Sequence, residues 1–269
     1  MYQTKAEVFN RVVEHADEVK RFGHNYFFVG LQGSWNYDLG YEGSDVDTKA
    51  LIIPSLKDIV LNNSPISTTH ILMNNEHIDL KDARVMFQNF WKQNINFVEI
   101  LFTEYAVANP LFAEEYDALL DIAEDIAYYD VKRALNAMSG MAMEKYHALE
   151  KVYPATKDKI EKYGYDGKQL HHILRLENFS TAYRKGYSFK ECLTNYSIFS
   201  KEELMRAKRN EFSIGEARVL ASTTCARLKE EKDSFLDRYT TMVNDKVKNA
   251  AEEILYSVFE KQFKKELLV

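Results

Sequence analysis

YFFVGLQGS, residues 26–34, and SDVDTKALIIP, residues 44–54, are the two segments that decide how this chain folds. Each contains a short run of aromatic, β-branched or aliphatic residues bounded by Gly, Ser or Pro, which is typical of a buried β-strand. We predict a first strand over residues 26–31 and a second over residues 45–53. A glycine-serine turn, Gly33-Ser34, therefore follows the first strand, and two carboxylates, Asp45 and Asp47, open the second.

The spacing of the two aspartates predicts a cation site. Residues i and i+2 of a strand point to the same face, so Asp45 and Asp47 are placed side by side while Val46 turns into the core. Two neighbouring carboxylates repel each other unless a cation lies between them, and Mg²⁺ is suited to one or two carboxylates together with substrate phosphates. Gly33 allows close approach of a phosphate, and Ser34 offers a hydroxyl and an N–H.

The segments around this motif predict a small α+β domain. Thr4 and Glu7 form a capping-box pattern that begins a first helix, and Gly23 is its predicted stop. A short helix is predicted over residues 55–60 and a third strand over residues 76–81. Asp82 is the predicted N-cap of an amphipathic helix, and residues 96–102 continue its packing layer.

Helical periodicity replaces the strand pattern after Pro110. Helices are predicted around residues 114–150, 166–185, 201–209 and 214–265. We therefore predict the α+β class, with a small mixed-sheet domain over residues 1–110 and an all-α helical domain over residues 111–269. The long C-terminal helices would suit a homodimer contact.

Composition excludes several classes of protein. No apolar run is long enough for a membrane helix, and the charged N-terminal residues do not resemble a signal peptide. The only cysteines, Cys192 and Cys225, lack zinc-ligand spacing and are expected to be reduced thiols of a cytoplasmic protein. Net charge is -6, but residues 145–232 hold 18 Lys/Arg against 12 Asp/Glu, an excess of +6. This excess mildly favours a polyanionic acceptor such as RNA, although solvated helix faces give the same pattern.

The segment from Gly33 to Asp47 resembles the signature of DNA polymerase β superfamily nucleotidyltransferases. It is most similar to the YcgL-type predicted nucleotidyltransferases of bacteria and phages, which have Gly-Ser, a Tyr, Ser-Asp-x-Asp and a strand ending in Pro. The matching residues are Gly33, Ser34, Tyr37, Ser44, Asp45, Asp47 and Pro54, and residues 94–102 and 163–176 are also similar to that family. Trp35-Asn36, Asp38 and Lys49 depart from the pattern, Lys49 standing where the family often has Gly.

The resemblance implies a polymerase β-like palm and a two-metal nucleotidyl transfer. It also implies a third carboxylate on a neighbouring strand, for which strand parity selects Asp79, with Asp82 and Glu76 as rivals. Asp45, Asp47 and Asp79 would be the catalytic, metal-binding residues for two Mg²⁺ ions, or Mn²⁺ in their place. Gly33, Ser34, Tyr37 and Ser44 would bind the nucleotide, with ATP as one candidate.

A second group of candidate nucleotide-binding residues lies in the helical part of the chain. Lys168, His172 and Arg175 fall on one predicted helix face, which would suit phosphates of the nucleotide or of the acceptor. The alternative is an exposed face paired with Asp166 and Glu177. The side chains of Trp35 and Tyr37 are predicted either to stack on the nucleotide or to line the core, and Glu99 is predicted to have a structural role.

The resulting hypothesis is a Mg²⁺-dependent nucleotidyltransferase that moves a nucleoside monophosphate from a nucleoside triphosphate to an acceptor hydroxyl and releases pyrophosphate. RNA, a small molecule and a protein side chain all remain open as acceptors. The alternative is a non-catalytic nucleotide- or RNA-binding regulator, similar to an antitoxin, that retains the fold. The two intact carboxylates of Asp45 and Asp47 favour the enzyme.

Overall fold

A computed structural model describes residues 4–240 and 243–268 of the chain. These residues form two compact units: the first lies within Met1–Asp130 and Val243–Val269, the second within Val131–Met242. Each unit is described by itself below. The boundary predicted at residue 110 lies inside the first unit, and the helices that follow residue 110 are shared between the two.

The elements follow one another along the chain as α1 (Lys5–Arg21), β1 (Asn25–Gln32), β2 (Asp47–Ile53), α2 (Leu56–Val60), β3 (Ser67–Ile71), β4 (His77–Asp82), α3 (Ala83–Trp91), α4 (Ile95–Val98), β5 (Ala106–Ala108), α5 (Ala113–Asp121), α6 (Ala123–Ala127), α7 (Val131–Ala148), α8 (Lys157–Tyr163), α9 (Gly167–Arg184), α10 (Phe189–Leu193), α11 (Lys201–Lys208), α12 (Ile214–Leu236) and α13 (Asp245–Leu267). Short 3₁₀ turns cover Ser34–Tyr37, Glu99–Leu101 and Pro110–Phe112. The α+β class is confirmed.

The sheet of the first unit has five strands in the order β3-β4-β2-β1-β5. β1 pairs antiparallel with both β2 and β5, β3 pairs antiparallel with β4, and β2 pairs parallel with β4. The sheet is therefore mixed, as predicted. Two of its strands, β3 and β5, were not predicted: β3 is mostly exposed and polar, and β5 has only three residues, so neither carries a clear hydrophobic pattern.

Local signals placed several element ends correctly. Thr4 and Glu7 form the capping box of α1, and Gly23 follows that helix with a φ of 83°. Asp82 caps α3 by accepting from the Arg84 N–H, as predicted. The second strand begins at Asp47 and not at Asp45, because Asp45 lies in the loop before the ladder to β1.

One face of the sheet packs against α1. Val8, Val12, Ala16 and Val19 of the helix are fully or almost fully buried, and they form one core with side chains of the sheet. The sheet contributes Val29, Leu31, Ala50, Ile52, Ile78 and Leu80 to that core, and the loop before β2 contributes Val46. Burial of each of these larger side chains stabilises the fold by about 1.5–3 kcal/mol, which fixes the register of β2 and β4.

The same register determines which side chains lie on the sheet face opposite α1. Because side chains alternate along a strand, Asp47 and Lys49 of β2 and His77, Asp79 and Lys81 of β4 all point away from α1. Residues 95–101 cover part of this second face: a Cβ on Gly30 would meet Ile100 at 2.7 Å, and the Lys49 ammonium lies 4.7 Å from the centre of the Phe97 ring.

The second unit is a helical cluster around α9. Helices α7, α10, α11 and α12 all pack against α9, whose side chains are buried over most of its circumference. The segment predicted as one helical region over residues 214–265 consists of two long helices, α12 and α13, which belong to different units. Residues 241–242, which that prediction included, lie outside the described residues.

Candidate active site

Pairing of β1 with β2 brings the glycine-serine turn next to the two aspartates. Gln32, the last residue of β1, is the ladder partner of Asp47, the first residue of β2. Facing residues of an antiparallel pair lie about 5 Å apart between Cα atoms. Gly33-Ser34 and Asp45-Val46-Asp47 consequently occupy the same end of the same strand pair.

Gly33 has a backbone conformation that other residues rarely adopt. Its φ is 97° and its ψ is -152°, a region that is essentially restricted to glycine. A Cβ at this position would meet no atom within 4 Å, so the space beside the backbone is open. The half-buried Ser34 begins the 3₁₀ turn directly after it, and no described residue is hydrogen-bonded to its hydroxyl.

The turn is held in place by polar contacts of Asn36. Its side-chain amide donates to the carbonyl of Leu31 at 2.8 Å and accepts from the Thr103 hydroxyl at 2.7 Å. Trp35 packs its ring over Gly40, where a Cβ would meet the indole at 2.4 Å, and also packs against the core beneath α1. The side chains of Trp35 and Asn36 therefore both fix the shape of the loop between the strands.

Tyr37 and Ser44 have structural contacts in place of open binding surfaces. Tyr37 is 4% exposed and its hydroxyl donates to the Glu99 carboxylate, which is itself buried. This favours the alternative in which Tyr37 lines the core, and it agrees with a structural Glu99. Ser44 is 6% exposed, and its hydroxyl accepts from the Tyr41 N–H at 3.1 Å, which closes the turn that delivers the chain to Asp45.

Asp45 and Asp47 each present a carboxylate oxygen that has no partner among residues 4–240 and 243–268. Asp45 is exposed, and no described residue forms an ion pair or hydrogen bond with its carboxylate. Asp47 is half-buried, and its Oδ1 accepts from the His77 N–H at 2.8 Å and lies 3.1 Å from His77 Nδ1. Val46, between them, is fully buried, as the alternation predicted. His77 was not identified from the sequence, because its position beside Asp47 depends on the parallel register of β4.

Asp79 lies on the same sheet face as Asp47, as strand parity predicted, but between two lysines. Its Oδ2 is 2.6 Å from the Lys49 ammonium, its Oδ1 is 2.9 Å from the Lys81 ammonium, and Oδ1 also accepts from the Thr69 hydroxyl at 3.1 Å. Burial alone would raise the pKa of Asp79, but the charges and hydrogen bonds of Lys49 and Lys81 outweigh it, so the pKa is lowered.

The two rivals for the third carboxylate are engaged elsewhere. Asp82 caps α3 and forms an ion pair with Arg84 at 2.7 Å. Glu76 is 2% exposed and accepts from Arg11 at 2.6 Å and from the Val46 N–H at 3.3 Å, and it also contacts His15. His15 in turn lies 2.9 Å from the Thr48 hydroxyl, so Glu76 belongs to a polar network on the α1 face.

The donor set fits one divalent cation better than two. Asp45 and the second oxygen of Asp47 provide carboxylate ligands of the kind that Mg²⁺ uses together with substrate phosphates. Asp79 does not fit as a further ligand in this arrangement, because each of its oxygens already has an ammonium partner. Within residues 4–240 and 243–268, no group of three or more His, Cys, Asp and Glu side chains is arranged to hold a metal ion.

The other candidate residues lie on α9 in the second unit. Lys168 is exposed, His172 is half-buried and Arg175 is 4% exposed, so these three side chains run from the surface into the interior. Burial, followed by electrostatic interactions with Arg175, the imidazole of His171, Lys168 and Lys145, lowers the pKa of His172 well below its usual value. The alternative of an exposed face paired with acids does not match this burial: Asp166 caps α9 and Glu177 pairs with Arg227 at 2.7 Å.

Both cysteines are free and buried, and burial raises the pKa of Cys225 to about 11. Of the helices in the described part of the chain, none combines the length and apolar character needed to cross a bilayer. No protein-family model matches the chain, and no curated protein matches it.

Proposed function

We propose that this protein is a Mg²⁺-dependent nucleotidyltransferase whose chemistry is carried by the end of the β1–β2 strand pair. The observation that supports the proposal is the pairing of Gln32 with Asp47. Through it, an open glycine turn with an unengaged serine hydroxyl lies beside two carboxylates that have oxygens available for a cation. The apolar core fixes the register of the strand pair, and the backbone conformation of Gly33, which other residues adopt only at a cost in stability, shapes the turn.

The residues of the strand pair have distinct tasks in this proposal. Gly33 and Ser34 receive the triphosphate through backbone N–H groups and the serine hydroxyl, and Asp45 and Asp47 hold the cation. His77 orients the Asp47 carboxylate by donating its backbone N–H. When bound, Mg²⁺ would neutralise charge on the phosphates and polarise the α-phosphorus.

The overall transfer forms a bond from an acceptor oxygen to the α-phosphorus and breaks the bond from the α-phosphorus to the bridging oxygen, so pyrophosphate leaves with the electron pair. The acceptor proton passes to a carboxylate of the pair or to water. The fold and the site chemistry do not select RNA, a small molecule or a protein as acceptor.

One observation favours a second candidate, a nucleotide-binding regulator without transfer activity. The carboxylate of Asp79, which the resemblance implies to be catalytic, is neutralised by Lys49 and Lys81. Such a protein would bind nucleotide through the same glycine turn and would transfer nothing.

The test is transfer of label from each α-labelled nucleoside triphosphate, with Mg²⁺, to total RNA, protein extract or small-molecule extract. We expect transfer by the wild-type protein and a loss of about 10³-fold or more in Asp45→Asn/Asp47→Asn, because several kcal/mol of charge stabilisation disappear. Asp17→Asn is the matched control, since its carboxylate is exposed on α1 and forms an ion pair with nearby Lys20.

Transfer that persists in the double variant would contradict the proposal. Absence of transfer to every acceptor class, combined with nucleotide binding measured by thermal shift that is independent of Mg²⁺, would favour the regulator.

A further inference from the structure

The Lys49 side chain is enclosed beside the candidate metal ligands. Lys49 is 4% exposed, which is unusual for a lysine, and it lies two residues after Asp47 on the same face of β2. Its ladder partner across the parallel β2–β4 pair is Asp79, and the two side chains meet at 2.6 Å. The Phe97 ring covers the ammonium from the other side at 4.7 Å.

These contacts fix the ammonium in place. Burial of a lysine ammonium costs hydration free energy, and the Asp79 carboxylate compensates for that cost at hydrogen-bonding distance. An aromatic face adds further attraction for the cation. A positive charge is thereby built into the sheet about two residues, or roughly 7 Å, from Asp47.

We propose that Lys49 stands in for a second metal ion, so that this site binds a single divalent cation, at Asp45 and Asp47. The inference rests on the proposed function, because it specifies the metal content of the same site. Asp79 then serves as the counterion of Lys49 and is not a metal ligand. Lys49 is a positioning residue: it holds the Asp79 carboxylate, and its positive charge occupies the place that a second cation would take.

Electrostatics oppose a second ion while Lys49 is in place. A divalent cation at Asp79 would have to displace an ammonium at 2.6 Å and then lie close to it, with the remaining lysine, Lys81, still on the other oxygen. Removing Lys49 frees Oδ2 of Asp79 on the side nearest β2. Removing Lys81 frees only Oδ1, which the Thr69 hydroxyl also holds.

The test counts Mn²⁺ ions by electron paramagnetic resonance, using the full chain saturated with α,β-methylene-ATP, which cannot be cleaved at the relevant bond. We expect one ion per chain in the wild-type protein, two in Lys49→Met, and one in the matched control Lys81→Met. Affinity for the first ion should rise about tenfold or more in Lys49→Met, because a nearby positive charge is removed.

The inference can still be tested if Lys49→Met fails to fold. The wild-type count needs no substitution, and two ions there would overturn the inference. Lys49→Met/Asp79→Leu removes both members of the pair, which is often tolerated, and should keep one ion with wild-type affinity. Loss of that ion would also overturn the inference, because Asp79 would then be a ligand.

The same experiment separates the inference from the proposed function. No bound Mn²⁺ in the wild-type protein would remove the metal site at Asp45 and Asp47 and, with it, the proposed function. One ion in the wild-type protein and one in a folded Lys49→Met would overturn only the assignment of Lys49.

Discussion

Two places on the same sheet hold carboxylates in opposite circumstances. At the start of β2, Asp45 is exposed without a described partner and Asp47 keeps an oxygen available. On the neighbouring strand β4 and on the same sheet face as Asp47, Asp79 is held by Lys49 and Lys81. A carboxylate with built-in counterions contributes to the fold, whereas one without them is available to an external cation. The difference teaches that matching a motif carboxylate to a position does not establish that it can bind metal.

The largest expected effect on stability comes from removing the carboxylate of Asp79. Asp79→Ala leaves Lys49 buried without its counterion, and we expect the free energy of unfolding to fall by about 3–5 kcal/mol. Asp45→Ala removes an exposed carboxylate and should change it by no more than about 0.5 kcal/mol. Urea denaturation of both variants measures the contrast, and equal effects would show that the two carboxylates do not differ in this way.

A second, smaller effect concerns Glu76, on the α1 face of the sheet. Glu76→Gln keeps the size of the side chain but removes the charge that pairs with Arg11, and we expect a loss of about 2–3 kcal/mol. Glu14→Gln is the control, because Glu14 contacts the same arginine from an exposed position. Urea denaturation applies again, and a neutral Glu76→Gln would mean that the network does not need the charge.

The glycine turn offers a third, still smaller effect. Gly33→Ala meets no steric obstacle, but its φ of 97° is unfavourable for alanine, and we expect a loss of about 1–2 kcal/mol. Gly215→Ala, at an open position inside α12, should instead stabilise by about 0.5–1 kcal/mol. Thermal unfolding of the two variants distinguishes them by sign, and stabilisation by Gly33→Ala would contradict the strained turn.

The smallest expected effect concerns the pH dependence of stability and the buried imidazole of His171 on α9, which has cationic side chains around it. Burial foremost, and the charges of Arg175, Lys208 and Lys168, lower the pKa of His171 to about 4 despite its hydrogen bond to the Leu204 carbonyl. Folding therefore favours the neutral imidazole of His171. Its contribution to the free energy of unfolding is fully present above the unfolded pKa near 6.5, and it is lost as the pH falls from 6.5 toward 4, because the unfolded chain then binds a proton that the folded chain does not. Between pH 7.5 and pH 5.5, the loss should be about 1 kcal/mol.

Urea denaturation of the wild-type protein and His171→Gln at both pH values isolates this contribution. The variant should lose less stability than the wild-type protein on acidification, since it has no imidazole at that position. Equal pH dependence in the two proteins would show that His171 is not held neutral.

Local sequence patterns were sufficient wherever contacts are local. The capping box of Thr4 and Glu7, the stop at Gly23 and the cap at Asp82 depend on residues within a few positions of one another. Alternation likewise placed Asp79 on the opposite face from Ile78 and Leu80, because the period of a strand is fixed by its backbone. Val46 is buried as predicted, although it lies in the loop before β2.

The partners of the site residues could not be read from the sequence. Lys49 was visible only as a departure from a family pattern, and His77 was not noticed at all. Their contacts with Asp79 and Asp47 require the parallel register of β2 and β4, which joins residues 30 positions apart. Register depends on the packing of whole faces, and a one-residue shift would exchange every side chain between them.

The sequence by itself determined the α+β class, the glycine-serine turn after the first strand and the position of Asp47 at the start of the second, because these follow from the short-range periodicity and conformational preferences of the chain. The tertiary structure alone decided which carboxylates already have counterions, since charge pairing in a buried site depends on a few ångströms of separation between distant segments. It placed the Lys49 ammonium on Asp79 and left the Asp45 carboxylate exposed without a described partner, and the proposed cation site rests on that difference.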